Sequence, residues 1–223
     1  DRNTPTATAS LGTGRTATAL AAGDKHTCAI LDDGTIKCWG DNMYGQLGDG
    51  TTSDRRTPTS TSSLGNGRTA VAISAGAVHT CAILDDGTVK CWGANGQGRL
   101  GDGTTTNRNT PTQTSSLGTG RTAVAIDGGD SHTCAALDNG SVSCWGWNSY
   151  GQLGDGTTTT NRLTPTITDT LGTGLTAISV SAGELHSCAI LNDGSAKCWG
   201  HNGHGQIGDG TTTSRTSPTA TGS

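Results

Sequence analysis

The stretch His79-Thr-Cys-Ala-Ile-Leu-Asp-Asp-Gly-Thr-Val-Lys-Cys-Trp-Gly93 decides the fold, because the chain contains four versions of it. They open at His26, His79, His132 and His186, which lie 53, 53 and 54 residues apart. Each is followed by an Asn and then by Gly-Gln-Leu-Gly-Asp-Gly-Thr-Thr or a close variant, complete at 45–52 and 151–158. Regular self-similarity at this period marks an array of one supersecondary unit rather than a single folded core.

Within each copy, Asp-Asp-Gly or its variant stands between two short β-prone runs, a strong hairpin signal. A three-residue loop with Gly34 in the left-handed region gives a type I turn with a bulge. That register sets Leu31 opposite Thr35, Ile30 opposite Ile36 and Cys28 opposite Cys38. The cysteines then fall on a non-hydrogen-bonded pair, where Cα atoms approach to ~4.5 Å, within disulfide range. Spacing and turn chemistry thus agree on one bridge per hairpin: Cys28 with Cys38, Cys81 with Cys91, Cys134 with Cys144, and Cys188 with Cys198. Nine intervening residues with a turn at their centre fit zinc-ligand spacing poorly. A third strand is expected before the hairpin (70–74 in the second unit) and a fourth near the Thr-Pro segment (110–115), where Pro suits an edge.

Composition agrees. Hydrophobic residues are 30% and aromatics 3%, with no Phe, so one large core is not expected. The 36 glycines among 223 residues are about twice the usual share of ~7%, which suits many turns and disfavours helices. Net charge is −4 with no basic stripe, against nucleic acid as a partner. No run approaches the ~20 apolar residues of a membrane span. Eight regularly paired cysteines read as a framework made in an oxidising compartment, hence a secreted or cell-surface protein. A chain that starts at Asp1 reads as mature, truncated or a fragment.

Four antiparallel strands per repeated unit are the signature of propeller blades. The run from Gly76 to Gly93, and that from Gly129 to Thr157, resemble the repeat of the regulator-of-chromosome-condensation family. The resemblance covers all four units. It implies a β-propeller, usually of seven blades, that acts through protein–protein contacts. Known members include a nucleotide-exchange factor on chromatin, a plant UV-B photoreceptor and an inhibitor of β-lactamases. This chain departs from the family in its paired cysteines. The photoreceptor's light-sensing Trp slot holds Lys25, Val78, Ser131 and Leu185, so that function is not implied.

The expected fold is all-β: four tandem four-stranded blades of ~53 residues, in an arc or continued array rather than a closed four-blade ring. The units are 15–67, 68–120, 121–174 and 175–223, with 1–14 completing a neighbouring blade. No catalytic constellation is visible, and no cofactor or metal is expected. The four His read as ring hydrogen-bonders to a neighbouring turn rather than ligands. Asp49, Asp102, Asp155 and Asp209 read as turn acids, with a weak calcium site as the alternative. Trp39, Trp92, Trp145 and Trp199 read as blade-to-blade packing, whereas Tyr44 and Trp147 fall outside that register and are candidate contact residues. The Thr-rich segments (104–116 and 157–170) read as polar edge strands or as carriers of O-linked glycan.

Residues 2–10 and 215–223 are near-copies offset by 213. One copy therefore lacks a partner within four units: either the chain is a window cut from a longer array, or subunits continue one another head to tail, in which case residues 1–10 and 214–223 are expected at junctions between subunits. The leading expectation is a non-catalytic extracellular structural module whose partner is itself, head to tail. The alternative is a propeller that captures or inhibits another protein.

Overall fold

The computed structural model describes residue 4 and residues 6–222. Among these there is no helix, and hence none long and apolar enough to cross a membrane. Sixteen strands form four separate antiparallel sheets in chain order. Blade one holds β1 (Ala17–Ala22), β2 (His26–Leu31), β3 (Ile36–Gly40) and β4 (Arg55–Ser60). Blade two holds β5 (Ala70–Ala75), β6 (His79–Leu84), β7 (Val89–Gly93) and β8 (Arg108–Gln113). Blade three holds β9 (Ala123–Gly128), β10 (His132–Leu137), β11 (Val142–Gly146) and β12 (Arg162–Ile167). Blade four holds β13 (Ala177–Ala182), β14 (His186–Leu191), β15 (Ala196–Gly200) and β16 (Arg215–Ala220). The outer strand of blade two begins two residues earlier than the Thr-Pro segment suggests.

The central hairpin has the register read from sequence: Ile30 opposes Ile36 and Cys28 opposes Cys38. Leu31 N–H donates to Thr35 O, and Gly34 sits at φ +74°, a conformation side chains resist. The other three hairpins share that register, with Cys81 opposite Cys91, Cys134 opposite Cys144 and Cys188 opposite Cys198. All four pairs are disulfides: Cys28–Cys38, Cys81–Cys91, Cys134–Cys144 and Cys188–Cys198 have Cα atoms 4.0–4.1 Å apart. No described cysteine is free. Pro58, Pro111, Pro165 and Pro218 all lie on outer strands, where the missing N–H costs no ladder bond.

The core lies between the sheets. Blade one contributes Cys28, Ile30, Ile36, Cys38 and Leu47 to the first junction, and blade two answers with Ala70, Ala82, Leu84 and Trp92. The second and third junctions repeat the pattern. Cys81, Cys91 and Leu100 meet Trp145, and Cys134, Cys144 and Leu153 meet Trp199. Each of the first three blades thus turns its disulfide toward the next blade, and each of the last three turns its Trp toward the previous one. A single blade cannot bury its two faces alone, which is why a chain so poor in aromatics folds as an array.

This arrangement leaves one face open at each end. Ala17, Leu20 and Trp39 of blade one face no preceding sheet. Leu20 is 67% exposed, whereas its counterpart Ile73 is half-buried and Ile126 and Val180 are at most 9% exposed. Trp39 is half-buried, while the other three Trp of its register are fully buried. At the opposite end Ile190 is 50% exposed, against 2% for Ile30 and Ile83. Cys188 is half-buried there, while Cys28, Cys81 and Cys134 are buried, because no fifth sheet covers the last disulfide.

The duplicated segment resolves asymmetrically. The C-terminal copy is β16, paired with β15 inside blade four. Residue 4 and residues 6–10 of the N-terminal copy are in no strand, and positions 1–3 and 5 lie outside the described residues. The copy without a home is therefore the first. Residues 215–220 are already a strand of the chain's own blade.

Candidate functional site

The junction chemistry starts from the loop after the third strand of each blade. Asn42 is fully buried and organises that loop. Its amide donates to Asp49 Oδ1, Thr51 O and Ser53 O, while its Oδ1 accepts from Leu47 N–H. Asp49 accepts further bonds from the Thr51 N–H and hydroxyl, and its Oδ2 pairs with Arg55 at 2.7 Å. Asn95, Asn148 and Asn202 repeat the arrangement with Asp102, Asp155 and Asp209. Partial burial raises the carboxyl affinity of Asp49, Asp102 and Asp155 for a proton. Hydrogen bonds from the Thr and the Arg more than offset this and hold all three below the usual range. At Asp209 the Thr211 hydroxyl and Arg215 push it down to about 2. These oxygens are occupied by protein donors, so the acids act as loop locks. Among the described residues no group of three or more His, Cys, Asp or Glu is placed to hold a metal.

The locked loop presents the Gln46 carbonyl to the next blade. Thr80 Oγ1 donates to it at 2.8 Å, and His26 Nε2 lies 2.8 Å from the same hydroxyl. The Thr proton is committed to the carbonyl, so the imidazole must donate from Nε2, a tautomer assigned by the network. His79–Thr133–Arg99 O and His132–Ser187–Gln152 O repeat this relay. Trp145 and Trp199 Nε1 donate to the same carbonyls at 2.9 Å. Glycine at 48, 101 and 154 is required there, because a Cβ would come within 2.7–2.8 Å of the facing indole nitrogen.

Burial drives His26 down to about 4, and it drives His132 to about 3 with help from His186 and Arg99. His79 is likewise held well below its ordinary value by burial. Nδ1 of all three has no partner among the described atoms. The His–hydroxyl pairs lie buried between sheets. They tie one blade to the next.

On the loop face, Tyr44 is 39% exposed and Met43 beside it 66%. Trp147 is half-buried and meets Tyr150 edge to face at 5.8 Å. Tyr150 in turn meets His201 at 4.8 Å, and His201 meets His204 at 6.3 Å. Sequence reasoning singled out Tyr44 and Trp147 but missed Tyr150, His201 and His204. Aligning the loop column by column would have found them: Asp41, Ala94, Trp147 and His201 share one slot, and Tyr44, Gln97, Tyr150 and His204 another. At the axis the inner strand ends form a depression of about 420 Å³ lined by Gly23, Gly76, Gly129 and Gly183 with Asp24, Asp130 and Glu184.

These blades and junctions define a β-propeller-type repeat protein. The profile of the RCC1-like domain matches residues 1–222, and the chain belongs to that family. It is 34% identical to the ultraviolet-B receptor UVR8 of Arabidopsis thaliana, across 89% of this chain and 44% of the receptor. It is 32% identical to the human E3 ubiquitin-protein ligase HERC2, across 86% of this chain and 4% of the ligase. Among solved structures it superposes on human WBSCR16 with a TM-score of 0.82 at 21% identity, covering 93% of this chain and 53% of that one. Prp20p of Saccharomyces cerevisiae, whose structure was described with its binding to Gsp1p and histones, gives 0.79 at 21% identity, covering 93% and 52%. The chain therefore spans less than half of the receptor and a small part of the ligase.

Proposed function

We propose that this chain is a non-catalytic extracellular interaction module that associates end to end with a second copy of itself. The observation behind this reading is the pair of uncovered faces. They are the two halves of an interface that the chain already forms three times internally. Docked in the same register, His186 would meet Thr27, and the Gln206 carbonyl would accept from Thr27 and Trp39. Gly205 and Gly208, which at present face open space or only Thr211 and Thr221, would lie against Arg56 and Trp39. The N-terminal segment 1–10 then falls at the junction. A heterologous contact of this kind closes a ring or runs on as a filament. Four disulfides support an oxidising compartment, and exposed Thr57 and Thr110 on outer strands are the places for O-linked glycan. Electron microscopy and sedimentation of the purified chain test the reading. Rings or filaments that grow with concentration are expected, and a monomer persisting at high concentration would refute it.

A second reading, capture of another protein, is favoured by the exposed side chains Met43, Tyr44 and Tyr150 on the loop face. Prp20p, of the same fold, binds proteins.

A further inference from the structure

We infer that the loop face of blades three and four is a docking surface for an arginine- or lysine-bearing segment of another protein. It deepens the capture reading and does not depend on the end faces. The aromatic ladder Trp147–Tyr150–His201–His204 crosses the third junction on the outside of the molecule. The fold does not need it: blade two builds the same loop with Ala94 and Gln97 in those slots. Its backbone support is polar, since Tyr150 N–H donates to Gln152 Oε1 and His204 N–H to Gln206 Oε1. Gln206 also donates to His201 Nδ1 at 2.9 Å, which orients that ring and leaves the proton on Nε2.

Charge selects the occupant. Trp147 N–H bonds Ser131 O, next to Asp130, and His201 N–H bonds Leu185 O, next to Glu184. Asp130 N–H bonds Glu184 O across the junction. The backbone of the ladder is thus tied to the residues that follow Asp130 and Glu184, which line the axial depression; Asp130 accepts from the Ser131 hydroxyl and lies near Arg99, so Glu184 is the exposed carboxylate there. The arginines of these two blades' loops, Arg162 and Arg215, are paired with Asp155 and Asp209. Arg99 of blade two, 7% exposed, is held by Asp130 O and Gln97. Exposed aromatic side chains with an exposed carboxylate, Glu184, in the adjoining depression are what a guanidinium or ammonium group binds, through the ring quadrupole and the carboxylate together. A cation over one exposed ring strengthens binding about two- to fivefold.

The test is calorimetric titration of the whole chain with an eight-residue peptide of alternating arginine and glycine. A counterpart with citrulline for arginine removes the charge and keeps the shape. The arginine peptide should bind at least ~10-fold tighter, counting one ring and one carboxylate contact. Trp147→Ala, Tyr150→Ala and Glu184→Gln should each weaken it at least about twofold with thermal midpoints unchanged. Trp147→Phe should retain binding and Tyr44→Ala should not alter it. The same result is expected in Leu20→Asp, which cannot associate end to end, so failure here is separable from failure of self-association. Equal binding of the citrulline peptide, indifference to the ring substitutions, or preference for a neutral oligosaccharide would each overturn the inference.

Discussion

His132 Nε2 and Ser187 Oγ lie 2.8 Å apart across the junction of blades three and four, with both residues fully buried. The hydroxyl donates to the Gln152 carbonyl, so one buried chain of donors ties a strand of blade three, a strand of blade four and the loop that follows β11. The contact is made only when two blades are already in register. It reports on assembly of the array rather than on folding of a hairpin.

Breaking one relay should therefore cost more than breaking its unpaired counterpart. Thr133→Val leaves the buried His79 N–H without an acceptor and should destabilise by about 1–3 kcal/mol. Thr27→Val, on the open face of blade one where no His donates, should cost less. Chemical denaturation of the two variants compares them directly; equal losses would show that the relay carries no stability.

Acid should loosen the array well before the carboxylates titrate. His26 and His132 are lowered from 6.5 to about 4 and about 3. Between those values the unfolded chain binds protons that the folded chain refuses. The stability contribution is thus complete above pH ~6.5 and is lost as pH falls toward 4 and then 3. Each imidazole adds a slope of ~1.4 kcal/mol per pH unit in that window. Thermal midpoints measured from pH 8 to pH 3 should fall in it, and His132→Gln should flatten the fall.

Two glycines of the same motif should respond unequally. Gly101 and Gly210 both have positive φ, so Ala strains both. At Gly101 the new methyl would also stand 2.8 Å from Trp145 Nε1, whereas at Gly210 nothing lies within 4 Å. Gly101→Ala should be the more damaging by about 1–3 kcal/mol, the usual range for overpacking. Tryptophan fluorescence during unfolding would read the difference.

The end faces can be tested without disturbing the fold. Leu20 and Ile190 are 67% and 50% exposed, so Leu20→Asp and Ile190→Asp should leave the melting temperature within about 1–2 °C, as expected for surface changes. Either one should abolish any concentration-dependent assembly seen by sedimentation. Assembly that survives both substitutions would place self-contact elsewhere. Deleting residues 215–223 would be a poor probe of the same faces, because it strips β16 from blade four.

The sequence alone determined the unit and its hairpin. Four copies of one motif fixed the blade count, Asp-Gly turns fixed the register, and that register brought each cysteine to its partner, because strand pairing and turn geometry act over a dozen residues. The resemblance of the repeat also pointed to the right family. What faces what was a tertiary matter. Trp39 and Trp145 are the same letter in the same motif, yet one is half-buried and the other fully buried, since burial depends on a sheet some fifty residues away. The partner of His132 is Ser187, one repeat further on, and no local pattern names it. Trp147, Tyr150, His201 and His204 become a single ladder only because stacking aligns the loops of adjacent blades. Local physics wrote each blade; the packing of one blade on the next decided which residues are core, which are surface and which ends stay open.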